Sequence, residues 1–185
     1  MKKVYLIRHG QAVHNISGDV SILDPELTSL GKEQCEQFKS HYLDVTFVIS
    51  STAQRALETA TQLFPSCAAD GACYKHDPST EICATDLLLE YNTGVPCNKR
   101  VDLETQQKLF PHVDFDKYKV AELPIELTWN DGNIRATRII ELLKSIDANV
   151  IGVVSHANII RNIISLLDKY KAEELGNCDA YIVHI

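Results

Sequence analysis

Continuous apolar runs alternate along this chain with segments whose apolar residues recur every three to four positions. The runs lie at 3–8, 46–50, 86–89, 150–154 and 180–184. They are short, and several are rich in β-branched residues, as strands are in a sheet covered on both faces. Segment 28–43 starts at Thr28, a good N-cap. Segment 52–64 follows Ser51, with Gln54 three residues on, a capping-box pattern, and stops before Pro65. Its Ala53, Ala56, Leu57, Ala60, Leu63 and Phe64 form one stripe. Segments 134–147 and 156–167 carry Ile139, Ile140, Leu143 and Ile146, then Ile159, Ile160, Ile163, Ile164 and Leu167. This alternation predicts an α/β fold around a mostly parallel sheet.

The stretch 66–130 breaks the pattern. It holds most of the prolines, four of the six cysteines, and turn signals at Asp70-Gly71, Asp77-Pro78 and Gly94-Val95-Pro96. We read it as excursions over one end of the sheet, within a single domain spanning 1–185.

Charge and cysteine usage narrow the partners. A net charge of -7 argues against nucleic acid or an anionic membrane surface, and leaves room for a small anion in a locally positive pocket. The apolar run after Met1-Lys2-Lys3 stops at Arg8, too short for a signal peptide, and no run approaches membrane-spanning length. The cysteines (35, 67, 73, 83, 97, 178) include no CxxC pair and read as reduced thiols of a cytoplasmic protein.

Chemistry gathers at three strand ends, where open parallel sheets bind ligands. The first run delivers Arg8, His9 and Gly10, the second leads to Arg55, and the fourth leads to Ser155 and His156. Taken singly, Arg55 is a solvated cation opposite an apolar stripe, and each histidine a core or capping residue. Together they ask for an anion, which helix N-termini also attract. A metal is not expected. His9 and His14 are five residues apart, off a shared helix face, no carboxylate completes a ligand set, and the arginines repel a cation. No GxxxxGK[ST] phosphate loop occurs. His14 belongs to the same loop as His9. Lys99 and Arg100 suit either a second anionic group or a solvated charge pair. His41, His76, His112 and His184 read as surface or structural, and Trp129 as packing a core edge.

These residues resemble the histidine phosphatase superfamily, also called phosphoglycerate mutase-like. Arg8-His9-Gly10-Gln11 with Asn15 looks like its RHGxxxxN opening. Asp24 to Gln34 resembles D-x-x-L-T-x-x-G-x-x-Q, Ser50 to Ala60 its S-x-x-x-R-A-x-E-T-A segment, and Val153 to His156 its V-x-S-H segment. Glu90 to Arg100 looks like small members from plants, fungi and protists. The resemblance implies a three-layer α/β/α sandwich and no cofactor. It implies that His9 accepts the phosphoryl group, that Arg8, Arg55 and His156 bind it, that Asn15 hydrogen-bonds a phosphate oxygen, and that Glu90 is general acid and then base.

That division of labour is what phosphoryl transfer requires: an in-line nucleophile, charge stabilisation on the equatorial oxygens and a proton for the leaving oxygen. Neutral imidazole is a good nucleophile near neutral pH, and arginines offer forked hydrogen bonds to phosphate. Phosphoglycerate mutases continue past this glutamate with R-H-Y-G. Here Tyr91-Asn92-Thr93-Gly94 follows, and no Arg-Arg pair occurs. His156 precedes Ala157, not the aspartate of the histidine acid phosphatases. The expectation is therefore a metal-independent phosphomonoester hydrolase acting on a small phosphorylated metabolite. A cofactor-dependent mutase and a non-catalytic phospho-ligand-binding module stand as alternatives.

Overall fold

A computed structural model describes residues 1–65, 80–91, 93–119, 132–168 and 175–185. Trp129, His76, Cys67, Cys73, Asp70-Gly71 and Asp77-Pro78 lie outside the described residues. Five strands, β1 (Lys3–Arg8), β2 (Phe47–Ser51), β3 (Glu81–Thr85), β4 (Val150–Ser155) and β5 (Ala180–His184), form one sheet. Their order is β3-β2-β4-β1-β5. The first four run parallel, and β5 lies antiparallel along β1. Arg8 pairs with Ser155 and Ser50 with Val154, so β1, β2 and β4 end level with one another.

Alternation along β1 sorts the core into two layers. Val4 and Leu6 join the inner faces of α5 (Gly132–Ser145) and α6 (Ala157–Leu167). Tyr5 and Ile7 join those of α2 (Ser29–Phe38) and α3 (Gln54–Leu63). The result is the expected α/β/α sandwich. In α6 the expected stripe is buried at Ile159, Ile160, Ile163 and Ile164. Burying one such side chain fully stabilises the fold by about 1.5–3 kcal/mol.

Several local expectations need correction. The 86–89 run is not a strand. Residues Asp86–Leu88 form a 3-10 turn, because the Thr85 hydroxyl accepts the Leu87 N–H and the Asp86 carbonyl accepts that of Leu89. The strand of that region is β3, so part of 66–130 belongs to the sheet. A short helix, α4 (Leu103–Leu109), also lies there, capped by Asp102, whose carboxylate accepts the Thr105 N–H. Another, α1 (Val13–Ser17), follows the first loop. Thr28 caps α2 as expected, accepting the Gly31 N–H at 3.0 Å, and a 3-10 turn over Lys39–Tyr42 continues it. The capping box at Ser51 does not form. Ser51 is still strand, Ala53 is the N-cap, and a distant carboxylate, Asp24 Oδ1, takes the Gln54 N–H at 2.8 Å.

Candidate active site

His9 leaves the end of β1 buried, 4% exposed. Its Nδ1 faces the Gly10 carbonyl at 2.8 Å and so carries the proton, because a carbonyl only accepts. The lone pair then sits on Nε2, which accepts from Arg55 Nε at 3.2 Å. Arg55 is 1% exposed, not the solvated cation its place off the apolar stripe suggested. It also donates to the Cys97 carbonyl at 2.9 Å and, through Nη2, to His156 Nδ1 at 3.2 Å. His156 Nε2 then carries the proton and gives it to Ser51 Oγ at 2.9 Å. The two imidazole centroids are 5.1 Å apart.

One fork of buried cation thus fixes the tautomers of both histidines. Burial, then the Arg55 charge, holds each ring well below its ordinary pKa, with Arg8 adding to the effect on His9 and His9 itself to that on His156. Both are neutral, as a nitrogen nucleophile must be. Arg55 is itself pulled down by burial but, as a guanidinium, stays cationic.

Arg8 directs Nη1 to the Leu175 carbonyl at 2.6 Å, while its buried Nε has no hydrogen-bond partner. A buried guanidinium N–H left unmatched costs free energy and fits an anionic acceptor. Glu90 is half-buried beyond the 86–88 turn. One carboxylate oxygen accepts the Tyr91 N–H at 2.9 Å, and the other accepts the Asn158 N–H and side-chain amide, each at 3.3 Å. Its charge reaches Arg55. The fold therefore brings Arg8, His9, Arg55, His156 and Glu90 into one electrostatic neighbourhood. The Asn15 side chain is exposed and engaged within its own loop, Oδ1 accepting from the Ala12 N–H at 3.0 Å. Arg100 is locked in a fork on Asp86, with Nε and Nη2 at 2.8 and 2.9 Å, and Lys99 is exposed.

The second motif builds the floor of the site. Gln11 N–H donates to Gln34, and the Gln11 carbonyl accepts from Thr28 N–H and Oγ1. A Cβ at Gly31 would lie 2.2 Å from the Gln11 carbonyl oxygen, so only glycine lets α2 come this close. Asp24 sits at φ 43°, buried, and also holds Val101 N–H and the Gln106 amide. In the third motif, Thr59 Oγ1 accepts the Gly10 N–H at 3.0 Å and donates to the Arg55 carbonyl at 2.7 Å. Glu58 accepts the Leu27 N–H at 2.8 Å.

The sequence reading missed Arg135, 1% exposed on the inner face of α5. It donates to the carbonyls of Asp86, Leu87 and Leu89 and lies over the Tyr91 ring, 5.4 Å from the centroid. It grips the turn that carries Glu90. Its signal was a charged residue beside Ala136 and in phase with Ile139 and Leu143. Burial lowers its pKa to about 10, so it remains charged.

Fold and site together define a sandwich with two buried, neutral histidines bridged by one buried arginine. Residues 4–185 match the histidine phosphatase superfamily (branch 1), and the chain belongs to that family. Membership places it among phosphatase- and mutase-type enzymes. Phosphoglycerate mutase-like protein 1 of Arabidopsis thaliana is 24% identical over 202 residues, 90% of this chain and 72% of that protein. The ecdysone phosphate phosphatase of Bombix mori, solved with tungstate, superposes with a TM-score of 0.65 at 17% identity, over 98% of this chain and 88% of the other. An Entamoeba histolytica phosphoserine phosphatase, solved with 3-phosphoglyceric acid, gives 0.61 at 22% identity, over 98% and 90%. These structural likenesses show the shared fold. Among the described residues no helix is long and apolar enough to cross a membrane.

Proposed function

We propose that this chain is a metal-independent phosphomonoester hydrolase that passes its substrate's phosphoryl group through His9. The observation that carries the reading is Arg55 donating at once to His9 Nε2 and His156 Nδ1, which leaves two neutral imidazoles beside a buried cation. Arg8 and Arg55 bind the phosphate oxygens, and His156 joins them by giving its Nε2–H to a phosphate oxygen in place of Ser51. A phosphate oxygen takes over the Arg55 Nε–H, which frees the His9 Nε2 lone pair to attack phosphorus in line while the P–O bond to the leaving group breaks. Glu90 gives the leaving oxygen its proton, then takes a proton from the water that attacks the phosphohistidine, so phosphate leaves and His9 returns. The two arginines stabilise charge on the equatorial oxygens throughout. Small phosphorylated metabolites are the substrate class, in a reduced, cytoplasmic setting.

His9→Ala should abolish p-nitrophenyl phosphate hydrolysis while leaving the circular dichroism spectrum unchanged. Wild-type protein quenched in alkali during turnover should carry acid-labile phosphate on His9. Normal turnover by the variant would exclude His9 as the nucleophile. A panel including 3-phosphoglycerate with 2,3-bisphosphoglycerate separates hydrolysis, seen as released phosphate, from isomerisation. Activity that a chelator removes would sink the metal-free mechanism.

A further inference from the structure

Among the described residues, three buried side-chain polar atoms lack a hydrogen-bond partner: Arg8 Nε, His14 Nδ1 and Gln106 Oε1. Two of the three belong to the segment around His9. Buried polar groups are nearly always satisfied, so an orphaned pair at one place asks what would satisfy both.

The proton on His14 can be placed by elimination. The Ala12 N–H needs an acceptor, which makes the Asn15 atom bonded to it the carbonyl oxygen, Oδ1. The other end of that amide, Nδ2, therefore donates, and it lies 3.2 Å from His14 Nε2. Nε2 must accept, so in neutral His14 the proton is on Nδ1. That is the buried, unpartnered atom. The His14 ring lies 6.2 Å, centroid to centroid, from the His9 ring. It also shares the field of Arg55 and Arg8, which with burial lowers its pKa to about 4. A neutral N–H donor thus stands in an electropositive pocket next to the nucleophile.

We propose that His14 donates its Nδ1–H to the phosphoryl group bound at His9, and that Asn15 is a positioning residue that sets the His14 tautomer. This rests on the phosphatase reading above and adds a ligand to it. The order of residues matches the division of roles. Asn15 sits at the third position of α1 with its side chain turned back to the Ala12 N–H, so the bond that starts the helix also orients the amide.

The test is an inorganic phosphate titration by calorimetry on wild type, His14→Leu, His14→Asn, Asn15→Ala and the His14→Leu/Asn15→Ala double variant. His14→Leu should weaken phosphate by about 10- to 100-fold, the worth of a hydrogen bond to a charged group. His14→Asn keeps a donor near the Nδ1 position and should recover part of the loss. The double variant should lose clearly less than the two single losses combined, since the two residues are coupled. Nitrogen-15 NMR of the wild type should show His14 protonated on Nδ1, a resonance that moves when phosphate is added, and Asn15→Ala should mix the two tautomers. Unchanged phosphate affinity in His14→Leu overturns the proposal. So does an Asn15→Ala loss that adds in full to that of His14→Leu. Wild-type protein that neither binds phosphate nor hydrolyses a phosphomonoester overturns the phosphatase reading as well; wild type that does both while His14→Leu matches it overturns this one alone.

Discussion

Arg55 shows how much one side chain can hold. It touches His9, His156 and the Cys97 carbonyl from a single planar fork. A lysine offers one ammonium on a flexible stem and cannot span all three. Arg55→Lys should lower kcat/KM for p-nitrophenyl phosphate by about 10²–10³-fold, the loss typical of removing a charge-stabilising donor, without unfolding the protein. Near-normal kcat/KM would show that the fork is dispensable. The positions of Arg8, His9, Arg55 and His156 were legible because each follows an apolar run that ends where a parallel sheet presents its ligands. The burial of Arg55 was not. Its helix period places it off the apolar stripe, and what covers it comes from His9, Cys97 and His156, three separate parts of the chain.

Among the elements, long periodic helices and β-branched runs could be read directly, while the passage from β3 to Glu90 could not. Leu87-Leu88-Leu89 looks like a strand because it is apolar, yet it turns, and Glu81–Thr85 pairs in the sheet with only three apolar residues. The deciding groups are Thr85, which caps the turn, and Arg135, whose three carbonyl contacts come from a helix more than forty residues away. Arg135→Leu strands those buried carbonyls, each at a cost of about 1–3 kcal/mol. It should lower the urea midpoint markedly. In the fraction that folds, kcat should fall more than KM rises, because Glu90 loses its seat and the phosphate pocket does not. A variant as stable and active as wild type would remove Arg135 from this role. The short helices α1 and α4 lay below the length at which periodicity speaks, although Asp102 three residues before Thr105 is a legible cap.

At the scale of the whole molecule, three histidines are held neutral by burial and by the same arginine. His9 and His156 lie well below their ordinary pKa, and His14 falls to about 4. The unfolded chain takes up protons on these rings as pH drops below about 6.5, and the native protein does not. Their contribution to stability is therefore complete above about pH 6.5 and is lost as pH falls through that value toward the native pKa values. The urea midpoint should drop between about pH 7 and pH 5, before most carboxylates titrate, and saturating phosphate should reduce the drop. A flat midpoint across that range would contradict the neutral assignment. The parallel order of the sheet was legible from the alternation of runs and helices. The reversal of β5 was not, since a short strand carries no mark of its direction.

That reversal brings the turn before β5 against the end of β1. Cys178 N–H meets the Arg8 carbonyl, the Asn177 amide meets the His9 carbonyl, and Arg8 reaches the Leu175 carbonyl, across 167 residues of sequence. Arg8 and His9 are therefore synthesised long before the 175–179 turn that completes their hydrogen bonds. Contacts of such long span close late in folding. A chain cut before Leu175 keeps Arg8, His9, Arg55 and His156 but leaves the Arg8 and His9 carbonyls without these partners.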